Sequence, residues 1–121
     1  MRQLMFLSPG KFAWRDAPAP TVSNARHAIV RPLAVARCDL DLYIARGIVP
    51  FAGPIAFGHE SICEVVDAGD AVGFAPGDRV AVPFQISCGD CAPCRRGLTG
   101  SCASVPPYAA FGLGRNGHDF G

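Results

Sequence analysis

The sequence predicts a mainly-β fold, a small barrel or sandwich carrying one short helix. Glycine and proline supply 14 and 11 of the 121 residues and recur at short intervals, which suits short strands joined by tight turns and leaves little room for long helices. Between these breakers run short segments rich in β-formers, such as Ile29-Val30 and Val80-Ala81-Val82. Half of the residues are hydrophobic and 17% are charged, so the chain is globular rather than disordered.

The elements follow in order. Residues 4–7 and 11–14 flank Ser8-Pro9-Gly10 and read as a hairpin. Residues 28–35 read as a strand in which Pro32 marks a bulge or a sheet edge. The helix is 39–46, with Asp39 and Asp41 in its first turn and Gly47 as its C-terminal cap. Residues 63–67 alternate weakly and end before Gly69, and 79–84 form a further strand launched from Pro76-Gly77-Asp78. Phe51, Phe57, Phe84 and Phe111 are the core candidates. His27, ahead of a strand, and Arg95-Arg96 read as solvated, and His118 as a loop residue. Gly112-Leu113-Gly114 and Gly117 have no βαβ unit around them, so they read as a loop and not as a phosphate-binding turn. The length predicts one domain over 1–121.

The formal charge is +1, from 11 basic and 10 acidic residues, and no basic block stands out; a nucleic-acid or anionic-membrane partner gets no support. The apolar run within residues 1–7 is too short for the core of a signal peptide. No stretch approaches the roughly 18 apolar residues of a membrane span. A soluble, cytoplasmic protein is expected.

Four of the six cysteines, Cys88, Cys91, Cys94 and Cys102, lie within 15 residues. Without a secretory signal, clustered cysteines point to a metal rather than to disulfides. Two-residue gaps let successive thiolates turn toward one point, and zinc takes four of them at about 2.3 Å in a tetrahedron. Gly89, Pro93 and Gly97 supply the tight backbone. Four protein ligands close the shell, so this zinc, in a loop spanning 87–103, is expected to be structural. An iron–sulfur cluster, and with it an electron-transfer protein, is the rival reading, because a ferredoxin run also begins C-x₂-C-x₂-C. That pattern continues with three residues and Cys-Pro, whereas here seven residues intervene and Ala103 follows Cys102.

Cys38 and Gly58-His59-Glu60 are weak signals singly, since a lone Cys is usually a small buried hydrophobe and a lone His a satisfied polar group. Their order changes this. Gly10-Lys11, Trp14-Arg15-Asp16 and Pro18, Cys38 with Asp41, Gly58-His59-Glu60, Gly69, Pro76-Gly77-Asp78-Arg79-Val80 and then the four cysteines run almost end to end through the chain. Together they resemble the N-terminal GroES-like domain of zinc-dependent medium-chain alcohol and polyol dehydrogenases. The resemblance implies a partly open β-barrel with one or two short helices and a zinc-binding cysteine loop. It implies Cys38 and His59 as ligands of a catalytic zinc, Glu60 as the carboxylate beside that metal, and Asp41 as the acid that holds the imidazole. The implied chemistry is hydride transfer between a small alcohol or aldehyde and NAD or NADP. An oligomer is compatible with it. Two positions depart from the family pattern: Leu40 stands where a Ser or Thr commonly starts a proton relay, and Cys63 stands where a Gly is usual. Tyr43, one turn along the helix, reads as packing, and Cys63 as a buried strand residue.

The cofactor-binding Rossmann domain and a third catalytic ligand are expected outside these 121 residues, and the chain alone is expected to be inactive. The alternative is a zinc-stabilised binding module without catalysis.

Overall fold

The structure is a computed structural model and describes residues 1–22, 25–70, 73–106 and 109–113. His118, Gly114 and Gly117 lie outside the described residues.

Two open three-stranded sheets make up the fold. In the first, β1 (Arg2–Ser8) is central, with β2 (Lys11–Asp16) on one side and the two-residue β4 (Ile55–Ala56) on the other. In the second, β5 (Ser61–Asp67) is central between β3 (Ile29–Val35) and β6 (Arg79–Val82). Every strand pair among the described residues is antiparallel.

The first sheet is the hairpin expected around Ser8-Pro9-Gly10, paired from Arg2↔Asp16 to Phe6↔Phe12. In the second, Pro32 sits on an edge strand, where its missing N–H costs no ladder bond. The β3–β5 register slips between Pro32 and Ala34, the bulge that the proline marks. β6 stops at Val82, two residues earlier than expected, because Pro83 cannot donate to the ladder. The expected alternation of 63–67 extends to a seven-residue strand with Cys63 and Val65 on its buried face.

Helix α1 (Asp39–Ala45) ends where Gly47 begins a Schellman turn. Gly47 has φ +74°, its N–H bonds the Ile44 carbonyl at 2.9 Å, and the Ile48 N–H bonds the Tyr43 carbonyl at 2.9 Å. Asp41 and Ile44, three residues apart, share the inward face. The Gly10 N–H bonds the Ala45 carbonyl at 2.8 Å, tying the hairpin turn to the end of the helix. A second helix, α2 (Ala92–Arg95), lies inside the cysteine loop, followed by a 3₁₀ turn at Thr99–Ser101. Among the described residues no helix is long and apolar enough to cross a membrane.

The core differs from the phenylalanine set expected. Phe6, Ile44, Cys63, Val65 and Ala68 are its buried apolar members, and Phe6 is fully enclosed. Phe57 joins it by stacking on Phe6 at 6.0 Å and meeting Phe12 edge-on at 5.2 Å. Phe84 is half exposed, and Phe51 and Phe111 are only partly covered. Side chains that pack the hairpin across its centre outrank phenylalanines in turns, because only the former point between layers. Tyr43 is also exposed, on the outer face of α1, rather than packed. His27 is half-buried, not solvated, while Arg95 and Arg96 are exposed as expected.

Candidate metal centres

All six cysteines are free thiols. The ligand atoms of Cys88, Cys91, Cys94 and Cys102 lie within 4.8 Å of one another. Local structure brings them there. Cys91 caps α2, Pro93 occupies its first turn, and Cys94 points inward from it. The helix closes on a second Schellman turn, with the Gly97 N–H on the Cys94 carbonyl at 2.9 Å and the Leu98 N–H on the Pro93 carbonyl at 3.0 Å. This helix was hidden in the sequence by its four-residue length, although Ala92-Pro93 followed by Gly97 is its signature.

Backbone N–H groups aim at the sulfurs. Cys91 and Asp90 donate to Cys88 Sγ at 3.3 and 3.4 Å, and Cys88 donates to Cys102 Sγ at 3.4 Å. The amides of Cys91 and Asp90 pull the Cys88 thiol down from 9.0 to about 6. Cys102 is lowered as well, chiefly by the Cys88 amide. Cys94 is pushed up to about 12, mainly by burial. Metals bind thiolates, so amides that favour two of them suit a thiolate-loving cation.

Arg26 braces the loop from outside, donating to the Asp90 carboxylate and to the Cys88 carbonyl. Sequence reasoning missed it, since 62 residues separate Arg26 from Cys88 and no local pattern joins them.

The second cluster is Cys38, Asp41 and His59, whose ligand atoms also lie within 4.8 Å of one another. It is built by the β3–β5 ladder. Val35 pairs with Ser61, and the Ala36 N–H bonds the Glu60 carbonyl at 2.9 Å, so the next step brings the segment 37–38 opposite His59. Cys38 then caps α1, and Cys38 Sγ lies 3.2 Å from His59 Nε2. Asp41 joins both. Its Oδ2 accepts the Cys38 N–H at 2.9 Å, and its Oδ1 lies 3.2 Å from His59 Nδ1. Asp41 and His59 are 7% and 6% exposed.

The Asp41–His59 contact meets the distance of a hydrogen bond but not its direction, so both buried atoms lack an aligned partner. Such a pair costs on the order of 1–3 kcal/mol when left unsatisfied. A thiol, an imidazole nitrogen and a carboxylate behind the ring are the donor set of a borderline-soft cation such as zinc.

Glu60 is not part of this cluster. It is exposed and lines an open groove of about 280 Å³ with Ala34, Val35, Ile62, Ala81 and Pro83. Residues 59 and 60 diverge because successive side chains of extended backbone point to opposite faces. Leu40 is half-buried, and Cys63 is buried with its sulfur 3.1 Å from Ser61 Oγ.

A mainly-β domain with a four-thiol loop and a separate Cys–His–Asp cluster is thus the class the geometry defines. Residues 24–119 match the family described as the alcohol dehydrogenase GroES-like domain, and the chain belongs to it. It is 37% identical over 116 residues to a medium chain reductase/dehydrogenase of an Acremonium species, covering 93% of this chain and 39% of that protein. It is 36% identical over 103 residues to the zinc-type alcohol dehydrogenase B of Aspergillus flavus, covering 84% and 24%. In structure it is similar to the alcohol dehydrogenase TADH of Thermus sp. ATN1, with a TM-score of 0.81, 30% identity and coverage of 94% of this chain and 32% of that one. The chain therefore spans roughly a quarter to two fifths of the length of these relatives.

Proposed function

We propose that this chain is the metal-binding domain of a zinc-dependent dehydrogenase that oxidises a small alcohol to an aldehyde or ketone with NAD or NADP. The observation that carries the reading is the 3.2 Å approach of Cys38 Sγ to His59 Nε2, with Asp41 behind the other ring nitrogen. A non-catalytic module has no need of such a set beside a closed four-thiol loop. Relatives named as zinc-type and medium-chain dehydrogenases support the same class.

In this reading Cys88, Cys91, Cys94 and Cys102 hold a structural zinc, and Cys38 and His59 hold a catalytic one with Asp41 as the orienting acid. Glu60, turned to the groove, stays outside that set. A zinc ion held by Cys38 and His59 would supply Lewis acidity toward the substrate oxygen. The chain's own residues prepare for it. Asp41 Oδ1, 3.2 Å from His59 Nδ1, backs the ring on the side away from Cys38, so that Nε2 is the nitrogen facing the thiol. Burial of His59 and Asp41 keeps water from competing for both groups. Leu40 carries no proton, so a proton leaves by another route than the position after Cys38 and Asp39. The nicotinamide belongs to a βαβ unit, and the antiparallel sheets among the described residues contain none.

Cobalt titration of the metal-free 121-residue chain tests the proposal. Two ions are expected, one tight with intense thiolate-to-metal bands and one weaker, and Cys38→Ser removes only the weaker. A single ion unaffected by Cys38→Ser overturns the catalytic-site reading. The chain alone is expected to give no alcohol-dependent NADH, and measurable production refutes the assignment of hydride transfer to a separate cofactor domain.

A further inference from the structure

The segment after the cysteine loop returns to the His59 corner. Gln85 bridges to Ala110, and the Phe111 N–H bonds the Phe84 carbonyl at 2.9 Å. The Phe84 ring in turn meets the His59 ring edge-on, centroids 6.4 Å apart. One residue beyond Phe111, Gly112 lies against Gly58, the residue before His59. A Cβ on Gly112 would stand 1.8 Å from the Gly58 carbonyl oxygen, 2.5 Å from its carbon and 3.1 Å from its nitrogen. Gly58 itself has φ +131° and Gly112 φ +66°. Two backbones thus touch with no side chain between them, immediately before a buried imidazole.

We propose that Gly112 positions His59: the strap over 109–113, hung from Phe84, presses its bare α-carbon on Gly58 and fixes the backbone from which the imidazole reaches Cys38. His59 sits where the chain passes from β4 in one sheet to β5 in the other, so neither ladder holds the residue directly. The strap supplies the missing constraint. Its role as a support for a metal ligand rests on the reading of Cys38 and His59 as a metal site.

The test pairs two alanine variants with nearly the same backbone strain. Gly10 has φ +71°, close to that of Gly112, but a Cβ there meets nothing within 4 Å. The full chain is first loaded with one equivalent of zinc to fill the four-thiol loop, and the His59 ring signals are followed by NMR without further metal. Gly112→Ala is expected to move the His59 signals, and Gly10→Ala to leave them in place. In cobalt titrations Gly112→Ala should weaken the second ion roughly tenfold or more, with Gly10→Ala within about twofold of the parent, the range seen for groups that support a metal ligand. The tight thiolate bands should be the same in all three proteins. If Gly112→Ala does not fold, Phe111→Pro in the full chain removes the N–H that hangs the strap from the Phe84 carbonyl and adds nothing at Gly58, and a shift of the His59 signals is again expected. Unmoved His59 signals in Gly112→Ala or in Phe111→Pro overturn the proposal, as do equal shifts in Gly10→Ala. A parent chain that binds no second cobalt refutes the metal-site reading instead, and the NMR arm still decides whether Gly112 holds His59.

Discussion

The two clusters are assembled by different means. The four thiols of the loop come from 15 consecutive residues, and a one-turn helix, the Gly97 turn that closes it and a set of amide-to-sulfur bonds bring them together within that stretch. Cys38 and His59 are 21 residues apart and meet because an antiparallel ladder, shifted by a bulge, brings them opposite each other. The loop leans on few of the fold's other elements, whereas the Cys–His–Asp cluster depends on both sheets, α1 and the strap. A local site tolerates changes elsewhere and fails when its ligands change. A distributed site is sensitive to register, capping and packing far from its ligands.

The largest effect expected is loss of one loop thiol. Metal-binding energy in closed zinc sites is also folding energy, on the order of 10 kcal/mol for small zinc domains. Cys91→Ser should therefore open residues 88–102 to hydrogen exchange at neutral pH while the β1–β2 and β3–β5 amides stay protected. Loss of protection across both sheets would show that the loop is not a separate local unit.

Next in size is Asp41→Asn. It keeps an acceptor for the Cys38 N–H but removes the charge facing His59 Nδ1, and metal affinity at the second site should fall by roughly 10–100-fold. Thermal stability should change by no more than about 1 kcal/mol, the scale of one cap. Calorimetric titration separates the two. A fall at the four-thiol loop as well would mean that the clusters are coupled.

Thiol ionisation sharpens the comparison inside the loop. Lowered to about 6, Cys88 favours its thiolate in the folded chain. Its contribution to stability is complete above its ordinary value of 9.0 and is lost as pH falls through about 6. Cys94, raised to about 12, favours the neutral thiol, so its contribution is complete below 9.0 and is lost as pH rises through about 12. In metal-free chain at pH 7, iodoacetamide should label Cys88 well before Cys94, as read by peptide mass spectrometry. The reverse order would contradict amide stabilisation of the Cys88 sulfur.

The smallest effect expected is Arg26→Ala. Both partners of the Arg26–Asp90 pair are largely exposed, and exposed pairs contribute about 0–1 kcal/mol. Thermal melts should shift by a few degrees at most and cobalt binding to the loop should hold. A large loss would make Arg26 a structural part of the loop and the loop less local than its spacing suggests.

Much of this protein was legible in its residues. The hairpin at Ser8-Pro9-Gly10, the helix closed by Gly47 and the four-cysteine loop are set by interactions between residues near in the chain, where spacing and glycine or proline geometry decide the outcome, and Pro32 marked its strand as one for a sheet edge. The order of Cys38, Asp41 and His59 named the second cluster through a family resemblance. The tertiary structure alone decided how it is built. Which residue faces His59 depends on the bulge between Pro32 and Ala34, since a slip of one residue sends every side chain to the opposite face. The same alternation turns Glu60 out to the groove while His59 points inward. Phe6 rather than Phe84 fills the core because packing between layers, not hydrophobicity, selects the buried ring. The contact of Gly112 with Gly58 and the reach of Arg26 to Cys88 join residues more than 50 positions apart, and no local rule of the chain encodes a meeting that only the closed fold brings about.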